Sequence, residues 1–161
     1  RIQVMQMDKM PFGADHDFLG GYELKRHTLT AIEKNKLLSK IREYLEPKAC
    51  VDFVYVHGSF TEERPFRDVD IAIFFAEDTP KDEQSALCIK YSVDLSVLIG
   101  IEVDVHSLNL APLGLKYHAT RGQAILSRDD DRRHDFEEYL WIRYLDFEPF
   151  MKQNLRDLLA P

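Results

Sequence analysis

The chain has 161 residues, 45% of them hydrophobic and 30% charged, which fits one globular domain with a tail and excludes a disordered or fibrous protein. Twenty-eight acidic against 21 basic residues give a net charge of −7, so a long nucleic-acid duplex meets net repulsion, whereas a small nucleotide held through metal ions does not. Cys50 and Cys88 lack the spacing of a zinc knuckle or disulfide scaffold, no apolar run approaches the roughly 18 residues that span a bilayer, and the amino terminus lacks a signal peptide's basic-then-apolar order, so the expected location is the cytoplasm.

Residues 1–22 contain Met5, Met7, Met10, Gly13, Gly20 and Gly21 and are expected to form a poorly structured segment. Thr30 with Glu33 makes a capping box, and Ile32, Leu37, Leu38, Ile41, Tyr44 and Leu45 recur at helical spacing until Pro47. Cys50 to His57 reads as a strand stopped by Gly58. Val69 to Phe75 is a second strand. Its alternation puts Val69, Ile71, Ile73 and Phe75 on an apolar face and Asp68, Asp70 and Ala72 on the other.

Thr79 is expected to cap a helix that starts at Pro80 and carries Leu87, Tyr91, Leu95 and Leu98 inward as far as Gly100. In a third strand, Ile101 to Leu108, Ile101, Val103 and Val105 face the core while Glu102, Asp104 and His106 face away. Leu115 to Thr120 is expected as a short helix, Gln123 to Leu126 as a short strand, and residues 131–158 as a long helix that Pro149 breaks or bends. Phe136, Leu140, Tyr144 and Phe147 align on that helix while Trp141 and Leu145 lie off the stripe; the aromatics are expected to pack on the sheet domain, the alternative being that the second stripe docks a partner or a second copy. The charge run from Arg128 to Glu138 reads as a solvated helix start. The division is a segment over 1–22, a domain over 23–127 and a carboxy-terminal helical extension over 128–161 packed on the domain.

The chemistry concentrates between Val54 and Asp70. Gly58 leaves backbone bare at a strand end, Ser59 adds a hydroxyl, and if a helix begins there its unpaired N–H groups favour phosphate. Alone, the pair reads more simply as a tight strand-to-turn connection. Asp68 and Asp70 lie on one strand face, where like charges conflict unless a divalent cation intervenes; an isolated Asp-x-Asp reads more simply as a solvated face. Asp104 adds a third carboxylate from a neighbouring strand, which meets the need of a two-metal phosphoryl-transfer site; Glu102 is a weaker candidate for the same role. Asp52 and Asp94 read as a solvated strand start and helix face. His57 and His106 also allow a mixed His/Asp metal site of hydrolase type, while no Gly-x-Ser-x-Gly elbow supports a serine hydrolase.

Gly58-Ser59, eight residues, Asp68-x-Asp70, then Asp104 flanked by valines resembles the nucleotidyltransferase superfamily typified by DNA polymerase beta. More narrowly it resembles the minimal nucleotidyltransferases, which include antitoxins encoded beside HEPN-domain toxins; the likeness covers about residues 50–150, and Arg143-Tyr144-Leu145-Asp146-Phe147 is similar to the tail of these proteins. The resemblance implies an α/β (α+β) domain with a small mixed, mostly antiparallel sheet backed by helices. It also implies that Gly58 and Ser59 hold a triphosphate and that Asp68 and Asp70 bind two magnesium ions, with manganese as the substitute. Asp104 would complete the ion that activates the incoming hydroxyl.

The implied activity is transfer of AMP from ATP to a hydroxyl, such as one on a HEPN-type partner. Thr61-Glu62-Glu63 departs from the family's small residue followed by Arg-Gly; Arg64 or Arg67 would then supply the missing charge. The same glutamates favour the alternative of a weak or inactive binding module that neutralises its partner by masking.

Overall fold

The computed structural model describes residues 18–19, 22–23 and 25–159. Most of the segment expected over 1–22 lies outside them; within it, β1 (Phe18–Leu19) pairs antiparallel with β2 (Tyr22–Glu23). The main elements follow as α1 (Ala31–Leu45), β3 (Val51–His57), β4 (Asp68–Phe75), α2 (Lys81–Ile99), β5 (Glu102–Ser107), α3 (Leu113–Thr120), β6 (Gln123–Ser127) and α4 (Asp130–Leu159).

The sheet order is β5-β4-β3-β6, with β3 antiparallel to both β4 and β6 and β4 parallel to β5. The sheet is therefore mixed and mostly antiparallel, as expected. A parallel pair needs a crossover connection, and α2 supplies it.

Strand alternation creates two faces. On one, Val54, Val56, Val69, Ile71, Ile73, Phe75, Val103 and Val105 pack against Leu38, Ile41 and Leu45 of α1 and Cys88, Tyr91 and Leu95 of α2. Full burial of each aliphatic chain contributes about 1.5–3 kcal/mol. On the other, Phe53, Tyr55, Ala72, Leu108 and Ala119 form a smaller cluster with Phe74 and Phe136. Helices thus cover both faces.

The capping box of α1 is present: Thr30 Oγ1 accepts from Glu33 N–H and Glu33 Oε2 accepts from Thr30 N–H at 2.8 Å. Full burial on this helix begins only at Leu38, and Ile32, expected inward, is exposed. Leu98 and Phe147 are likewise exposed rather than core. The start of α2 also differs: Pro80 occupies the cap position without a side-chain bond, and Thr79 is buried. The Gln84 amide donates to the Thr79 carbonyl at 2.8 Å and accepts from Ser107 Oγ, so tertiary bonds fix this helix start in place of a hydroxyl cap.

Pro149 does not break α4, which continues through it. The proline is exposed, so the carbonyl it leaves without an N–H partner can bind water.

The Arg128–Glu138 run is more than a solvated start. Arg128 donates to the carbonyls of Val51, Glu46 and Lys48, Arg132 pairs with Asp52 at 2.9 Å and Glu77 at 3.0 Å, and Arg133 pairs with Glu137, which also accepts from the Tyr55 hydroxyl. The run fastens α4 to the sheet. Among the described residues no helix is long and apolar enough to cross a membrane.

Candidate active site

Antiparallel pairing brings the end of β3 to the start of β4, and parallel pairing brings the start of β5 beside it. His57 consequently faces Asp70 across one ladder, and Asp70 faces Asp104 across the next. Adjacent strands lie about 4.8 Å apart, so these side chains are neighbours on one face. Asp68, Asp70, Asp104, His57 and His106 thus form the polar end of the face whose other end is the Phe53–Phe74–Phe136 aromatic layer. Asp68 and Asp70 are half-buried, while Asp104 and His106 are exposed at the mouth.

Gly58 follows His57 with φ of +73°, a conformation that costs an L side chain about 1–2 kcal/mol. It starts a single 3-10 turn, Gly58–Thr61, in which Thr61 Oγ1 donates to the Gly58 carbonyl at 2.8 Å. No α-helix begins here. One turn is too short for a macrodipole, so attraction for an anion must come from bare backbone N–H groups and side chains.

The loop is held from two directions. Lys34 of α1 donates to the carbonyls of Phe60 at 2.7 Å and Glu62 at 2.6 Å, with its ammonium 5.3 Å from the Phe60 ring centre. Beneath it Phe60 and Phe66 are buried edge to face, and His27 exchanges both backbone bonds with Phe66.

Burial, the charge of Asp68 and then that of Asp104 push the Asp70 carboxyl above its usual range, with His106 acting in the opposite direction. A carboxylate so placed is poorly solvated and repelled by its neighbours. Among the described residues no three His, Cys, Asp or Glu side chains make a ready metal cage, and no mixed His/Asp set of hydrolase type forms. An open carboxylate pair with a third carboxylate at its rim nevertheless suits a hard divalent cation, which shares its oxygen ligands with water and phosphate. The donor set fits magnesium in that open sense.

Three cavities open along the Gly58–Asp70 stretch, and of the three aspartates Asp68 lines one of them. Ser59, Arg64 and Arg67 line one of about 180 Å³ together with Arg26, which places three expected residues and one further guanidinium in a common hollow. Arg64 is also paired with Glu62. A second, of about 450 Å³, runs past Arg67, Asp68 and Glu102 to Lys25 and His27. The third, of about 350 Å³, opens between His57, Gly58 and Glu62 on one side and His118, Arg121 and Gly122 on the other.

Lys25, Arg26, Lys34, His118 and Arg121 were not singled out from the sequence. They lie outside the Gly58–Asp70 stretch: the His27–Phe66 bridge brings Lys25 and Arg26 to it, the bonds of α1 bring Lys34, and the packing of α3 brings His118 and Arg121. Asp94 and Asp52 stand apart from the site, bound to Tyr44 and Lys90 and to Arg132 respectively.

The arrangement has relatives. Solved structures similar to this chain include a chain of the toxin-antitoxin complex MntA-HepT, at TM-score 0.59 and 17% identity, covering 81% of this chain and 100% of that one. Another comes from a tri-AMPylated Shewanella oneidensis HEPN toxin in complex with an MNT antitoxin, at TM-score 0.57 and 17% identity, covering 80% and 98%. A third is from a toxin-antitoxin structure with AMP-PNP, at TM-score 0.58 and 18% identity, covering 82% and 100%. At these identities the likeness is one of fold. No curated protein matches significantly. The family described as Polymerase beta, Nucleotidyltransferase matches residues 39–131, which span the Gly58-Ser59 turn and all three aspartates; with the match extending over more than half of the chain, the protein belongs to that nucleotidyltransferase family.

Proposed function

We propose that this chain is a magnesium-dependent nucleotidyltransferase that moves AMP from ATP to a hydroxyl of a partner protein, a HEPN-type toxin, and so acts as an antitoxin. The observation that carries the reading is the alignment of Asp70 opposite Asp104 and next to Gly58, which joins a carboxylate cluster to a bare phosphate-sized turn. The partner and the nucleotide are taken from the similar complexes, one containing an AMPylated HEPN toxin and another AMP-PNP.

In this reading Gly58 and Ser59 offer N–H groups and a hydroxyl to the triphosphate, and Arg67 opposes its charge from the hollow it shares with Ser59 and with Arg64, whose guanidinium is paired with Glu62. Asp68, Asp70 and Asp104 would hold the magnesium, which when bound neutralises the triphosphate and lowers the pKa of the attacking hydroxyl. The acceptor oxygen bonds to the α-phosphorus, the bond from that phosphorus to the α–β bridging oxygen breaks, and pyrophosphate leaves with its electron pair. The acceptor's proton passes to the exposed Asp104 carboxylate.

The masking alternative rests on Glu62 and Glu63, of which Glu62 is paired with Arg64 and does not confront a phosphate alone. Incubating the chain with magnesium, each α-labelled nucleoside triphosphate and the HEPN-type partner tests the proposal. Label should pass from ATP to the partner and should vanish with Asp68→Asn or Asp70→Asn. Unchanged transfer in both variants, or none from the parent chain with any nucleotide, sinks it.

A further inference from the structure

The cavity of about 350 Å³ has a composition that the sequence motif does not account for. One wall is the motif itself, with His57, Gly58, Thr61 and Glu62; the other is the end of α3, with His118, Arg121 and Gly122. Three observations bear on what this second wall does.

The first is that its position is set by close packing. A methyl on Gly122 would lie 2.3 Å from the Val56 carbonyl oxygen and 2.9 Å from the His57 Cβ, so only glycine lets the end of α3 press against the end of β3. Arg121, the residue before it, is therefore delivered to the mouth of the motif turn.

The second is that the guanidinium is supported. Arg121 lies over the Tyr117 ring at 5.7 Å, and Tyr117 in turn stacks on Tyr144 of α4 at 3.8 Å and 5°. Stacked support of this kind restricts a long side chain before a ligand arrives, which lowers the entropic cost of gripping one.

The third concerns charge. Arg64 follows the motif turn but is engaged by Glu62, and Glu62 itself lines this cavity. The motif wall thus carries a carboxylate and no unpaired cation. The α3 wall carries the cation.

We infer that Arg121, assisted by His118 as a hydrogen-bond donor, binds the β- and γ-phosphates of the nucleotide across Gly58 and supplies from α3 the positive charge that Thr61-Glu62-Glu63 omits. The inference rests on the nucleotidyltransferase reading and deepens it. The triphosphate is gripped from both sides of the bare turn, by Arg67 and Ser59 on one and by Arg121 on the other. Arg121 is exposed and fills no core, so its replacement leaves the fold in place.

Calorimetric titration of the full chain with magnesium ATP and with AMP tests this. Loss of one charge-assisted contact to phosphate predicts that Arg121→Met weakens ATP binding about tenfold or more, while AMP, which lacks the β- and γ-phosphates, changes less than about twofold. Arg121→Lys keeps the charge and should recover most of the loss, and His118→Asn should weaken ATP by a smaller factor. ATP affinity unchanged in Arg121→Met while the parent chain binds ATP overturns the inference and leaves the nucleotidyltransferase reading standing. Equal losses for ATP and AMP overturn it as well, because the contact would then be to the α-phosphate or nucleoside. If the parent chain binds no ATP, both fall. Ligand-free melting of each variant, expected to match the parent, separates lost contact from lost fold.

Discussion

Gly58 and Asp70 are packed so closely that a methyl on the glycine would stand 2.2 Å from Asp70 Oδ2. The same residue has φ of +73°. Gly58→Ala therefore meets two independent penalties, a backbone strain of about 1–2 kcal/mol and a clash that moves the carboxylate or the turn. The expected outcome is a lowered melting point together with loss of nucleotide transfer. Ser59→Ala, which removes one hydroxyl without strain, should retain the parent melting point. Full activity in Gly58→Ala would show that Asp70 need not lie against the turn.

Asp70 should oppose stability in the absence of a cation. Its carboxyl is pushed up by burial and by Asp68 and Asp104, so at neutral pH the folded chain holds a charge that the unfolded chain solvates better. Asp70→Asn keeps the shape and removes the charge. The variant is expected to melt higher than the parent without metal, yet to transfer nothing and to gain less stability from magnesium. A melting point below the parent's would mean that the carboxylate has a structural partner that outweighs the repulsion.

The reach of the sequence can be judged from these residues. Period-two alternation in Val69–Phe75 and Ile101–Leu108 revealed which carboxylates share a face, because a strand's side-chain direction is set by its own backbone. The register opposing Asp70 to Asp104 follows once the two strands are parallel neighbours. Arg121 and Lys34 were hidden for the opposite reason: each reaches the site through contacts between elements distant in sequence, and neither belongs to a periodic pattern. Whether a helix or a turn follows Gly58 stayed open in the sequence, since a Gly-Ser pair fits either, and the structure has a single 3-10 turn. The charged start of α4 was underread because ion pairing with Asp52 and Glu77, and the hydrogen bond from Tyr55 to Glu137, are invisible to a count of charges.

That charged start carries a prediction of its own. Glu137 accepts from the Tyr55 hydroxyl and pairs with Arg133 at 2.8 Å, and all three are largely withdrawn from solvent. Removing Glu137 takes the acceptor from the Tyr55 phenol and reduces Arg133 to its contacts with Asp130 and His134, whereas removing only the Tyr55 hydroxyl leaves the ion pair intact. Glu137→Ala should cost about 2–4 kcal/mol and Tyr55→Phe about 1 kcal/mol, read from denaturant midpoints. Equal costs for the two variants would show that the ion pair contributes nothing beyond the phenol contact.

His57 should make the fold sensitive to acid. Burial, then the neighbouring imidazoles of His106 and His118, pushes it down to about 4, and its Nε2 is buried without a hydrogen-bond partner among the described residues. A histidine whose pKa is lower in the folded state binds its proton more readily when unfolded. Its contribution to stability is therefore complete above the unfolded value of about 6.5 and is lost as pH falls from there towards 4. The slope is at most about 1.4 kcal/mol per pH unit, and less here because the ring is partly exposed and screened. Asp70 acts in the opposite sense, since its raised pKa relieves repulsion as pH falls through it. Denaturation across pH 4 to 7 in an Asp70→Asn background isolates the histidine. There stability should decline steadily below pH 6.5, and adding His57→Gln should flatten that decline; a slope that survives the second substitution would assign the acid sensitivity to another group.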